Sequence, residues 1–188
     1  MKSALLLSVF LFTTVLVTPA QSMPMGIDHS KIYEKTPEIE GFRRWYGDVN
    51  YGLAVYLGTK DVSGFETELH LHFSGKKISK ALFIFGPSGI SSQTCLKDYK
   101  KIVKILDGKY GHHTHQHVIK DPLIEDLVKL SPCSSVKNGL LDVYTFWKLA
   151  DHLITATLIG DDEGYYIEIE YKYSSCSKRD TKELQKAL

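Results

Sequence analysis

The sequence is short of several things that would narrow its function. Cysteine is scarce, with three in 188 residues, so the chain is not one of the small secreted scaffolds that disulfides hold together in place of a core. It has no excess of charge of either sign, since 23 Lys and Arg stand against 22 Asp and Glu. That balance disfavours nucleic acid as a partner, because nucleic-acid binders carry a basic footprint. Beyond Val17 no apolar run approaches the roughly 20 residues of a membrane helix. Repeats at solenoid spacing and low-complexity tracts are absent as well, which excludes arrays and compositionally biased tails.

What is present begins with Met1-Lys2 ahead of an apolar run from Ala4 to Val17, closed by Thr18-Pro19-Ala20-Gln21-Ser22. Residues 1–22 therefore read as a secretory signal peptide, with small residues placed for cleavage before Gln21 or before Met23. No cysteine lies beside that point for lipid attachment. The expected product is secreted or periplasmic, soluble, and without a transmembrane segment in the mature chain. Subtracting the leader leaves roughly 166 residues, enough for one domain with an ordinary hydrophobic core. Without Lys2 the charges balance at 22 against 22.

From Met23 to Glu40 the chain carries Pro24, Pro37 and scattered charge but no sustained period, and reads as an irregular arm. Residues 41–177 form the expected domain. Strands are expected at Tyr51 to Gly58, at Phe65 to Phe73, and at Ile78 to Phe85, where the near-continuous Ala81-Leu82-Phe83-Ile84-Phe85 suggests burial on both faces. In the second of these, Phe65, Thr67, Leu69, Leu71 and Phe73 alternate with Glu66, Glu68, His70 and His72, so one side should be dry and the other wet. Gly86-Pro87-Ser88-Gly89 reads as a tight strand-to-helix turn; it lacks the final glycine of a hydrolase elbow and the lysine of a phosphate loop. A long helix follows, capped by Ser91 or Ser92, with Leu96, Tyr99, Ile102, Val103 and Leu106 at helical spacing and Gly108 at its end. His112 to Val118 fits a short strand or an exposed loop. A short helix is expected from Leu123 to Leu130, ended by Ser131-Pro132. Leu140 to Leu149, Leu153 to Ile159 and Tyr165 to Tyr173 read as an antiparallel meander joined by hairpin links at Ala150-Asp151-His152 and Gly160 to Gly164. Residues 178–188 form a tail or short helix. The fold class this implies is α+β: a largely antiparallel sheet of about six strands, with one long and one short helix packed on one face.

The residues that can carry chemistry are few. His112-His113-Thr114-His115-Gln116-His117 would set His113, His115 and His117 on one side of an extended backbone, where imidazoles at alternate positions can share zinc, copper or nickel. Such a site also needs a partner to fix each ring. A solvated loop accounts for the same residues without a metal. His70 and His72, flanked by Glu66 and Glu68, are a second imidazole pair that could contribute if the two segments were adjacent, though alternation alone puts polar residues there. Lys97, Lys101 and Lys104, with neighbouring lysines up to Lys120, give a basic patch suited to an anionic ligand or an acidic protein face. Phe42-Arg43-Arg44-Trp45-Tyr46 suits a carbohydrate or protein contact, or a tryptophan packed on the sheet. Among the three cysteines the favoured disulfide is Cys95 with Cys133, since a chain that runs down one helix and back along a shorter one brings them together. No catalytic residue and no resident cofactor are expected. The reading is a non-enzymatic binding or interaction module for an envelope protein or an anionic ligand; the alternative is a transition-metal-binding protein built on residues 112–117.

Overall fold

A computed structural model describes residues 27–59, 64–119 and 122–173, except for the side chains of Ser88, His117, Ile119 and Pro122. The expected signal peptide, Cys176 and the C-terminal tail lie outside the described residues. Strands β1 (Phe42–Asp48), β2 (Leu53–Gly58), β3 (Thr67–Ser74) and β4 (Lys77–Ile90) form one antiparallel meander. Strands β5 (Thr114–Ile119), β6 (Leu141–Lys148), β7 (His152–Gly160) and β8 (Tyr165–Tyr173) form a second. Antiparallel pairing of β4 with β8 joins them into one eight-stranded sheet of order β1-β2-β3-β4-β8-β7-β6-β5. Helix α1 (Cys95–Tyr110) lies in the connection between the two meanders, and α2 (Glu125–Leu130) and α3 (Pro132–Lys137) lie between β5 and β6.

The strands share one buried face because their alternation is kept in register from strand to strand. Tyr56, Leu69, Phe83, Ile169, Ala156 and Thr145 lie side by side across six strands, and every one of them is buried. The turn between β3 and β4 helps set this register. Gly75 and Lys76 have φ of 54° and 63°, the paired positive values of the two-residue hairpin turn whose twist matches the strands. Helix α1 packs on the buried face through Tyr99, Ile102 and Leu106. The Tyr99 hydroxyl donates to the Ala156 carbonyl at 3.0 Å and shares a hydrogen bond with the Thr145 hydroxyl at 2.8 Å. These bonds satisfy groups that would otherwise be buried unpaired, at a cost of about 1–3 kcal/mol each. The arm of residues 27–40 has no helix or strand, and it adds Ile27, Tyr33 and Ile39 to the same core. The Tyr56 hydroxyl bonds the Pro37 carbonyl at 2.7 Å, and burial pushes that phenol up to about 12.

The architecture differs in several places from the one the sequence predicts. The sheet has eight strands rather than about six, and Phe65 adds an isolated bridge. The two extra strands, β1 and β5, are its edges, where one neighbour is solvent and alternation is weak: β1 is exposed from Arg43 to Tyr46. Trp45 sits at a register shift and is 68% exposed rather than packed on the sheet. Among the described residues there are three α-helices, not one long and one short. Ser131-Pro132 does not end the helical region but divides it, because proline suits a first turn and breaks an interior. Helix α1 starts after Thr94 and runs past Gly108 to Tyr110, where Gly111, at φ 84°, returns its N–H to the Asp107 carbonyl. Gly86 to Gly89 is not a strand-to-helix turn but an irregularity inside β4, since Phe85 pairs with Ile167 and Ile90 with Tyr165. Leu82 and Ile84 are half-buried, so β4 is dry on one face only.

Candidate functional site

The second face of the sheet is a surface that the helices do not cover among the described residues. Among the described residues, α1, α3 and the arm all make their contacts on the buried side, through Tyr99 to Thr145, α3 to β6 and β7, and Tyr56 to Pro37. The other side is a surface of register-aligned rows. One row runs Tyr46, Val55, His70, Leu82, Glu170, Thr155, Phe146, Thr114 from edge to edge, and a parallel row runs Arg43, Leu57, Glu68, Ile84, Glu168, Thr157, Tyr144, Gln116. Most positions in these rows are half-buried. Aliphatic and aromatic groups are interleaved with charges of both signs.

Those charges pair locally. His70 Nε2 lies 3.1 Å from Glu68 Oε2, and Lys80 Nζ lies 3.5 Å from Glu170 Oε2. Burial holds the His72 imidazole below its ordinary pKa, and the Lys80 and His70 charges act in the same direction. Burial also raises the Glu168 carboxyl, and the neighbouring Glu170 raises it further. Beside Glu168 the irregular part of β4 and the β7–β8 hairpin border an open cleft of about 200 Å³, lined by Ile84, Pro87, Asp161, Tyr165 and Tyr166 among others. This is below the roughly 300–1,000 Å³ of sites that enclose a drug-sized ligand. The Asp161 carboxylate is occupied in the turn, accepting the Glu163 and Gly164 N–H groups at 2.9 and 3.0 Å.

The residues singled out from sequence fall in three separate places. Lys97, Lys101 and Lys104 are exposed along one stripe of α1, and Lys101 Nζ lies 5.3 Å from the centre of the Phe65 ring. His70 and His72 are on the open sheet face. His113 and His115 are at the β5 edge of the sheet, with four strands between them and β3, and His115 pairs with Thr145 on the helix side. The two imidazole groups therefore do not converge. The His117 backbone pairs with Val143; its side chain lies outside the described residues. Among the described residues no group of three or more His, Cys, Asp or Glu side chains is gathered to hold a metal. Cys95 and Cys133, the favoured pair, are joined with Cα atoms 6.2 Å apart.

Two clusters centre on residues that the sequence does not single out, Asp107 and His152. In the first, Asp107 Oδ1 receives the Trp147 indole N–H at 3.1 Å and lies 2.5 Å from His113 Nδ1. The second centres on His152, read from sequence as part of a hairpin link. It opens β7, is 5% exposed, and stands among Tyr110, Tyr171 and Tyr173. Its Nδ1 meets Asp151 Oδ1 at 2.6 Å, while its Nε2 and the Tyr173 hydroxyl have no hydrogen-bond partner among the described residues. His29, from the arm, stacks on Tyr173 at 4.0 Å and reaches to 3.6 Å from Asp151. Burial works to raise the Asp151 carboxyl, but the His152 hydrogen bond and the His152 and His29 charges outweigh it and hold the group below its ordinary value. A signal for His152 was available, because it shares the parity of Ile154, Ala156 and Leu158.

Among the described residues no helix is long and apolar enough to cross a membrane. No family model matches the chain, and neither a curated protein nor a solved structure matches it.

Proposed function

We propose that this chain is a non-enzymatic binding module that works outside the cytoplasm and meets a folded protein through the open face of its sheet. The observation that carries this reading is the face itself: eight strands in register, free of helices among the described residues, with charges that neutralise one another in place. A catalytic site would be expected to aim its ionisable groups at one point. Here Arg43, Lys80, Lys148 and Lys172 are spread among Asp48, Glu68, Asp142, Glu168 and Glu170. Such a mixture gives a polyanion nothing to hold. With Tyr46, Tyr144, Phe146 and Tyr166 between aliphatic side chains, it has the aromatic, near-neutral composition of protein interfaces. The apolar leader-like run and the Cys95–Cys133 bond favour an oxidising compartment.

The test is co-purification from the host envelope with the full chain as bait. Leu82 lies between His70 and Glu170 in the middle of the face. Leu82→Arg and Leu153→Arg, each verified as folded by circular dichroism, should lower retention of the captured protein at least tenfold. The triple variant Lys97→Glu, Lys101→Glu, Lys104→Glu should retain it like the wild type. Folded sheet variants that retain the partner undiminished would overturn the reading, and loss in the lysine variant alone would assign the contact to the basic stripe of α1.

A further inference from the structure

We infer that the β5 edge carries a transition-metal site in which His113 and His115 are the ligands and Asp107 is the residue that positions His113. Metal-bound imidazoles almost always give their second ring nitrogen to a carboxylate, carbonyl or water, which fixes the tautomer and strengthens the ligand. Asp107, near the end of α1, fills that role: its Oδ1 lies 2.5 Å from His113 Nδ1. The carboxylate is held from a second direction, since the same oxygen accepts the indole N–H of Trp147, which is 1% exposed, at 3.1 Å. With the proton on Nδ1, His113 keeps its lone pair on Nε2, the form that binds a metal.

His115 follows two residues later, the second residue of β5, with its ring centre 6.2 Å from that of His113 and the planes at 84°. Two imidazoles bound to one ion at metal–nitrogen distances of about 2.0–2.1 Å place their ring centres roughly 5–6 Å apart, close to the separation of this pair. His113 is half-buried and His115 exposed, which leaves the remaining coordination positions open to water or to an outside ligand. Neutral imidazoles with open positions suit zinc, copper and nickel. The inference is independent of the open sheet face, which carries His70 and His72 but none of these residues.

Zinc chloride titrated into untagged full-length chain at pH 7.5, followed calorimetrically, should give one equivalent bound per chain. His113→Ala and His115→Ala should each abolish uptake without unfolding the chain. Asp107→Asn keeps an acceptor for Trp147 and should still bind one equivalent, with affinity weakened 10–100-fold. In nitrogen-15 spectra of the metal-free protein, His113 should be the Nδ1-protonated tautomer in the wild type and lose that preference in Asp107→Asn. Failure to take up one equivalent, uptake that survives loss of both histidines, or an Asp107→Asn variant that binds zinc as tightly as the wild type would each overturn the inference.

Discussion

The bond between Cys95 and Cys133 ties the first residue of α1 to α3 across 38 positions of sequence. Its value can be estimated from the loop it closes in the unfolded chain. The chain-entropy relation for a loop of that length gives about 4 kcal/mol at 25 °C. For a domain of this size, where 1 kcal/mol moves the midpoint by about 2–4 °C, that corresponds to about 8–16 °C in Tm. The assay is differential scanning calorimetry of the wild type with and without a phosphine reductant, beside Cys133→Ala. Reduction is verified by the gain of two titratable thiols under denaturing conditions. The wild type should drop by about 8–16 °C on reduction, and Cys133→Ala should start near that lower midpoint and ignore the reductant. A fully reduced wild type whose midpoint moves by less than about 2 °C would refute the reasoning, since it would mean that the bond does not restrict the unfolded chain.

Two further outcomes follow from single residues. Tyr99→Phe leaves the Thr145 hydroxyl and the Ala156 carbonyl without the phenol, and should lower stability by about 1–3 kcal/mol in urea with an unchanged m-value; an unchanged midpoint would mean that these bonds do not anchor α1. Glu168 has its folded pKa raised by burial and then by Glu170, so its protonated form is favoured by folding: that contribution is full below the unfolded pKa of about 4.3 and is lost as pH rises through the higher folded value. Glu168→Gln should therefore raise Tm at pH 7 relative to the wild type and give no such gain near pH 4, and equal or lower stability at pH 7 would contradict the shift.

What could be read from the sequence was whatever the dry face of the sheet imposes. Leu69 and Leu71 alternate with His70 and His72 because one side faces the core and the other does not, and the parity of β8 from Tyr165 to Tyr173 follows for the same reason. The edges β1 and β5 were harder, since a strand with one neighbour has less to bury. The apolar run of β4 misled in the opposite direction: Leu82 and Ile84 sit on the open face, and apolar residues at partly exposed positions are ordinary. The Asp107 contacts could not be read locally, because Asp107 meets His113 six residues on and Trp147 forty residues on. Only the crossover of α1 to the far edge of the sheet brings them together. Lys97, Lys101 and Lys104 were legible as a helical stripe, whereas the open face is assembled from all eight strands and belongs to no single stretch of sequence.

The most direct test of the account is oxidative footprinting of the chain alone and bound to the protein it captures. The central claim predicts that Tyr46, Leu82, Tyr144 and Leu153 become protected on binding, while Ile105 on the outer side of α1 keeps its reactivity. Protection confined to α1, with the sheet residues as reactive as in the free chain, would contradict it.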